Sequence, residues 1–265
     1  MIHPTAIVHP KAVLDPTVEV GPFAIIDEHV QVGPRTNIGA HAWLTGWLEL
    51  GPENQVGYGA VLGADPQDTH FSGARSYLRI GKGNRFREYC TVHRGTKEES
   101  ATVLGDENFL MAHSHLAHNC HLGSRIIIAN GALLAGYVEV EDRAFISGNC
   151  VVHQFVRLGQ LCLLSGGTRV SKDVPPFMTI YGTNEINSIN LVGLRRAGLS
   201  AESRKGIRQA YRILFRSGLN TSQALAELKK LDHDPALECL VRFIENSKRG
   251  ICWASLVDVT ETDEE

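Results

Sequence analysis

Cut into sixes, residues 104–170 read LGDENF LMAHSH LAHNCH LGSRII IANGAL LAGYVE VEDRAF ISGNCV VHQFVR LGQLCL LSGGTR V, with an apolar residue heading every block. A period of six matches neither the 3.6 of a helix nor the two-residue alternation of a half-buried strand. It matches a parallel β-helix, in which three short strands make one triangular turn of roughly 18 residues. Upstream, the same phase runs from Ile2 through Val8, Leu14, Val20, Ile26, Val32, Ile38, Leu44, Leu50 and Val56 to Leu62, and returns at Ile80, Phe86 and Val92. It breaks near 64–78 and 95–103, which are read as loop insertions.

The heading residue fills the core, and the Gly, Ala or Asp that often follows suits a tight corner. A second inward slot four residues on holds Ala6, Ala12, Ala24, Thr36, Ala42 and Ala60, and also Cys90, Cys120, Cys150 and Cys162. At such a slot a cysteine is a small buried filler. No Cys-x-x-Cys pair occurs, which argues against a zinc ribbon and a thioredoxin-type redox site.

The phase ends at Asp173-Val-Pro-Pro-Phe177. Two prolines cannot continue a backbone ladder, so the solenoid is expected to stop there and to occupy residues 1–178. Farther on, Ser200 is placed to cap a helix whose Ile207, Tyr211 and Leu214 share a face and which stops before Gly218. Leu225 with Leu228, then Leu237 with Leu240, Val241 and Ile244, mark two more helices. The expected fold class is therefore all-β, a hexapeptide-repeat parallel β-helix with a small C-terminal α-helical domain over 190–250. The acidic stretch 254–265 reads as a flexible tail.

A 43% apolar fraction can fill a core, and a net charge of -3 without a basic block excludes a nucleic-acid footprint. The start, MIHPTAIVHP, lacks the basic and apolar regions of a signal peptide, and no stretch is apolar enough to cross a bilayer. A cytoplasmic protein is expected.

Stacked turns place residues about 18 apart above one another. His118 then shares a column with Gly136 and Gln154, beside His153, while Asn119, Tyr137 and Phe155 stack alongside. His113, His115, His118 and His121 crowd this edge, four of the chain's 12 histidines. A lone outward histidine is usually a solvated surface residue, but four beside a stacked glycine point to chemistry. A positioned imidazole can deprotonate an attacking hydroxyl or amine, contributing ~10²–10⁴-fold, and His118 is read as that base. The N–H of a glycine one turn away can meet an oxyanion, and Gly136 is the candidate donor.

Together with the hexads, Val92-His93-Arg-Gly-Thr96, His115-Leu-Ala-His118, Leu134-Ala-Gly136, Val152-His153-Gln154-Phe155, Asp173-Val-Pro-Pro and Asn190-Leu-Val-Gly-Leu-Arg-Arg196 make nearly the whole chain similar to the UDP-N-acetylglucosamine 3-O-acyltransferase family of lipid A synthesis. The resemblance implies a left-handed helix sense and a homotrimer with its sites between subunits. The implied donor is a 3-hydroxyacyl chain on the phosphopantetheine of acyl carrier protein, with no separate cofactor and no metal, and the implied acceptor is a UDP-amino-sugar. It also implies His118 as general base and Gly136 as oxyanion donor, in keeping with the stacking. Asp68, His93, His115, His153, Gln154, Asn190 and Arg196 would line the substrate cleft, and Gly166 would floor the acyl groove.

Four positions depart from the family pattern: Asn119 stands where an aspartate is usual, His70 where a lysine is, Tyr137 where a histidine is, and Val192 where a glutamate is. Of these, His70, Asn119 and Tyr137 stay among the expected substrate-binding residues. An asparagine can orient an imidazole but stabilises imidazolium less than a carboxylate does. The His-Asn pair also resembles a related N-acyltransferase of the same pathway, which keeps the amine of a 3-amino UDP-sugar open as acceptor. Three other readings stay open: a zinc enzyme of the carbonic anhydrase kind using the clustered histidines, an acetyl-CoA-dependent sugar acetyltransferase, and a solenoid that binds without turnover. Arg204, Arg208, Arg212 and Arg216 form a cationic stripe at i+4 spacing, suited either to docking an acidic carrier protein or to plain solvation.

Overall fold

A computed structural model describes residues 1–231 and 234–254. Three sheets of very short, parallel strands wrap one core, forming a left-handed β-helix followed by a small helical region. One turn comprises His115–Leu116 in the first sheet, His121–Leu122 in the second and Ile127–Ile128 in the third. In each pair the second residue is fully inside and the first faces outward, which is why only every sixth residue must be apolar. The register runs Leu116 to Leu134 to Val152 to Val170 up the first sheet. A left-handed path is the rare sense for parallel crossovers, whose usual hand follows from strand twist. Strands of two residues carry almost no twist, so the constraint is weak here.

The two phase breaks are insertions at one edge. Leu50 pairs with Ile80 and Ile80 with Leu104, steps longer than one regular turn. Both extra segments leave the first sheet, after Ala64 and after His93, and rejoin the second at Tyr77 and Ala101.

The corners differ from the expectation in one respect. The glycine after the heading residue is not in the left-handed region; at Gly51 a Cβ would lie 2.5 Å from the Gly81 carbonyl oxygen one turn above, so close approach selects glycine. The left-handed residue falls two positions later, as at Asn119, Tyr137 and Phe155 with φ of 58°, 59° and 65°. That conformation costs a residue with a Cβ roughly 1–2 kcal/mol. Stacking up the columns offsets part of it: Phe23 lies on His41 at 5.1 Å and Tyr137 on Phe155 at 4.9 Å.

Between these positions sits a third corner residue whose N–H takes no part in the backbone ladder. Proline is therefore free to occupy it, and Pro4, Pro10, Pro16, Pro22, Pro34 and Pro52 all do. The same fact corrects the expected stop at Val174-Pro175-Pro176. Pro176 takes the third corner position, and Met178–Tyr181 continues the third sheet in parallel with Leu163–Leu164. The solenoid is closed one strand later, by Glu185–Ile189 pairing back antiparallel to Met178–Tyr181.

Among the described residues four helices follow: α1 Leu191–Arg196, α2 Ala201–Phe215, α3 Thr221–Leu228 and α4 Pro235–Glu245, with N-caps Asn190, Ser200, Asn220 and Asp234. Apolar spacing does not mark α1, which is six residues long and buries only Leu194. Ile207, Tyr211 and Leu214 of α2 are buried in one cluster with Leu237, Leu240 and Ile244 of α4. None of the described helices is long and apolar enough to cross a membrane. The flexible tail expected over 254–265 falls outside the described residues except for Ala254, which pairs with Ile186 in the strand Trp253–Ala254.

Candidate active site

His118 occupies the third corner position between the first and second sheets, just after His115–Leu116, and is 7% exposed. Its Nδ1 lies 3.1 Å from Oδ1 of Asn119. The backbone N–H of Thr96 donates to that same atom at 3.0 Å, and the Thr96 hydroxyl donates to it at 2.9 Å. A backbone N–H can only donate, so the atom it meets must be the amide oxygen. An oxygen facing His118 requires a proton on Nδ1, which leaves Nε2 with a lone pair. The tautomer is thus fixed as the one a general base needs. The corner backbone is held as well, because Asn119 donates its N–H to the Thr102 hydroxyl at 2.7 Å.

Gly136 lies directly above the imidazole. A Cβ there would stand 2.5 Å from Cε1 and 2.7 Å from Nε2 of His118, so only glycine leaves the ring its place. As a third corner residue, Gly136 has no ladder bond for its N–H. On the opposite corner such N–H groups find side chains, as Ser124 does with Asp142 and Gln160 with Glu141. That of Gly136 has no acceptor among the described residues, and it is the kind of donor an oxyanion recruits.

Two further histidines stand beside this pair. The ring of His93 meets that of His115 edge-on at 4.8 Å, and His115 Nδ1 is 2.7 Å from the Thr91 hydroxyl. Burial pushes His93 down to about 4, with His115 and His118 opposing its charge and Asp65 favouring it. Burial lowers His115 too, with His118 adding to the effect. Both imidazoles are neutral at neutral pH. Arg94 is buried next to His93, paired with Asp65 and lying over the rings of Trp47 and Phe71 at 5.4 and 5.3 Å, which ties down the first insertion. On that insertion the His70 N–H donates to Asp68, holding the carboxylate below its usual range, while the His70 side chain is exposed.

Asn119 and Tyr137 also line a groove of about 900 Å³ that runs past His121, Phe155 and Arg157 to Asp173 and Arg249. At its upper end His153 is exposed, its Nδ1 3.0 Å from the Gln154 carbonyl oxygen, with the Arg249 guanidinium 3.4 Å away. Among the described residues, no three His, Cys, Asp or Glu side chains are arranged to hold a metal ion. Cys90, Cys120, Cys150 and Cys162 are buried, and burial raises the Cys90 and Cys120 thiols to about 12, which leaves them inert.

Residues 173–252 match the family model described as "Udp N-acetylglucosamine O-acyltransferase; Domain 2". The acyl-(acyl-carrier-protein)–UDP-N-acetylglucosamine O-acyltransferase of Burkholderia orbicola is 44% identical over 94% of this chain and 98% of its own length. A protein of the same name from Synechocystis is 44% identical over 76% of this chain and 74% of its own. Among solved structures, the UDP-N-acetylglucosamine acyltransferase of Francisella novicida covers 100% of both chains with a TM-score of 0.93 at 33% identity. That of Bacteroides fragilis covers 95% of this chain and 99% of its own with a TM-score of 0.91 at 41% identity.

The chain belongs to the UDP-N-acetylglucosamine O-acyltransferase family.

Membership favours a hydroxyl over an amine acceptor, and acyl transfer over the zinc, acetyl-CoA and non-catalytic readings. On a single acyltransferase chain, however, the expected residues do not all meet. His93, His115, His118, Asn119, Gly136, Tyr137, His153, Gln154 and the Asp68 loop gather at the edge between the first and second sheets. Gly166 lies on the edge between the third and first sheets, where a Cβ would find only the Gly148 carbonyl oxygen at 3.7 Å. Asn190 lies on the remaining edge; it caps α1, and its side-chain N–H donates to the Leu161 carbonyl at 2.9 Å. Arg196, at the end of α1, is exposed on that side.

Thr96, Arg94 and Asp65 were not singled out in the sequence. Asp65 and Thr96 sit on insertions, outside the hexad phase, and Arg94 stands where the chain leaves the first sheet for the second insertion, so the 18-residue column map does not bring them to the site. The one available signal was the motif Val92-His93-Arg-Gly-Thr96, which carries two of the three.

Proposed function

We propose that this acyltransferase moves an (R)-3-hydroxyacyl chain from acyl carrier protein to the 3-hydroxyl of UDP-N-acetylglucosamine, the first step of lipid A biosynthesis. The observation that carries the reading is the His118 imidazole, its Nδ1 turned to the Asn119 oxygen and its Nε2 left to accept, packed on a glycine whose N–H has no acceptor among the described residues. His118 Nε2 takes the sugar hydroxyl proton as the oxygen attacks the thioester carbonyl. The carbonyl oxygen becomes an oxyanion facing the Gly136 N–H. Collapse expels the phosphopantetheine thiolate, which recovers the proton from His118, leaving an ester and a free thiol. No separate cofactor enters. The neutral His93 and His115 add no second imidazolium beside the one formed in this cycle.

Asp68, His70, His153, Gln154 and the Asn119–Tyr137 wall form the nucleotide-sugar and pantetheine cleft in this reading, and acyl carrier protein meets the arginine stripe of α2. Since Gly166, Asn190 and Arg196 lie on other edges, a complete site takes residues from adjacent copies, and we propose a homotrimer acting in the cytoplasm. The test is to incubate the protein with (R)-3-hydroxyacyl carrier proteins of several lengths and either UDP-N-acetylglucosamine or its 3-amino analogue, identifying products by mass spectrometry. An ester on the hydroxyl sugar is expected. Acylation of the amine alone, or no product with either sugar, overturns the proposal.

A further inference from the structure

An asparagine beside a catalytic imidazole poses a problem that a carboxylate does not. Either face of a carboxylate accepts, so an imidazole next to it always carries its proton on the near nitrogen. The amide has one accepting and one donating atom, and a half-turn about its last bond exchanges them. With the NH₂ toward His118, Nδ1 would have to accept, the proton would move to Nε2, and the nitrogen facing the substrate could no longer take one. An asparagine at this position therefore needs a lock.

The structure holds one. Thr96, half-buried on the insertion after His93, presents its N–H and its hydroxyl to the same Asn119 oxygen at 3.0 and 2.9 Å. The Tyr137 hydroxyl lies 3.1 Å from the Thr96 hydroxyl. Because the single Thr96 proton is directed at Asn119, Tyr137 is the donor in that contact, and its donation keeps the Thr96 proton pointed away from itself. The chain of donations runs Tyr137 to Thr96 to the Asn119 oxygen, with His118 Nδ1–H arriving from the other side. Tyr137 is set in place by stacking on Phe155 at 4.9 Å and by its edge-on contact with His118 at 5.3 Å.

We propose that Thr96, aided by Tyr137, is a positioning residue that holds the Asn119 amide oxygen toward His118 and so keeps His118 in the base-competent tautomer. Two of the departures from the family pattern, Asn119 and Tyr137, are then parts of one device, in which the tyrosine hydroxyl helps orient an amide that a carboxylate would not need. The inference rests on His118 being the base, and that premise is tested separately.

The experiment is a double-mutant cycle between Thr96→Val and Asn119→Asp, with Thr96→Ser and His118→Ala as companions, reading kcat and KM for each with both substrates varied. Thr96→Val keeps the backbone N–H and removes the hydroxyl, a loss worth about tenfold in rate. The expected result is a fall of about that size in kcat with KM within twofold, recovered by Thr96→Ser, and at least fivefold smaller in the Asn119→Asp background. A hydroxyl that merely braces the insertion would cost the same in both backgrounds. An equal loss in the two backgrounds, a loss carried by KM, or no loss would each overturn the proposal. If His118→Ala turns over normally, the base assignment itself fails, whatever the cycle shows.

Discussion

At the residue scale, the site depends on atoms that have few alternatives. Gly136→Ala puts a methyl 2.5 Å from His118 Cε1 and 2.7 Å from its Nε2, so the ring must swing out of the place it holds against Gly136. The expected outcome is a kcat lower by roughly 10²–10⁴-fold, the scale of displacing a general base, since alanine keeps the backbone N–H, with an unchanged circular dichroism spectrum. A loss below tenfold contradicts the geometry. His93 supplies a different test. Its folded pKa is held near 4 against about 6.5 when unfolded, so between those values the unfolded chain takes up a proton that the folded chain refuses. The stability it contributes is present above pH 6.5 and is lost as pH falls toward 4. Urea denaturation at pH 7 and pH 5 should show the wild type losing about 2 kcal/mol more than His93→Gln. Equal losses would mean that His93 is solvated or partnered in solution.

At the element scale, each corner has its own chemistry. Between the second and third sheets, Asn54, Asn84 and Asn108 fill the small inward slot on successive turns and are fully buried. The Asn54 oxygen receives the Asn84 N–H at 2.8 Å, the Asn84 oxygen receives that of Asn108 at 2.9 Å, and the Asn108 oxygen receives that of Ile126 at 2.8 Å. Asn84→Ala orphans the buried Asn108 N–H and opens a void, and should cost about 2–4 kcal/mol. Thermal melts of that variant check the figure, and a change under 1 kcal/mol would show that water replaces the side chain. The hexad made the strands and core legible because a core three strands wide demands one apolar residue per strand. It misled at Pro175-Pro176, since a proline forbids a ladder bond only where the ladder needs one, and the third corner position does not. His118 and Gly136 were readable as a column because no insertion separates them. Thr96 was not, because its insertion breaks the count on which the column depends.

At the scale of the whole molecule, one chain carries His118 on one edge, Gly166 on a second, and Asn190 and Arg196 on a third. If sites form between neighbours, chains damaged on different edges should repair one another. Mixing His118→Ala with Arg196→Ala chains under conditions that exchange subunits should restore about a quarter of the wild-type sites, the fraction of random adjacent pairs in which each partner contributes its intact edge. Activity staying at the level of the separate variants would place the whole site within one chain. Whether His118 is the base of an acyl transfer to a sugar hydroxyl is decided by the turnover of His118→Ala with saturating (R)-3-hydroxyacyl carrier protein and UDP-N-acetylglucosamine. A rate ~10²–10⁴-fold below wild type, with fold and oligomeric state intact, is expected; a rate within twofold of wild type would show that another group takes the proton.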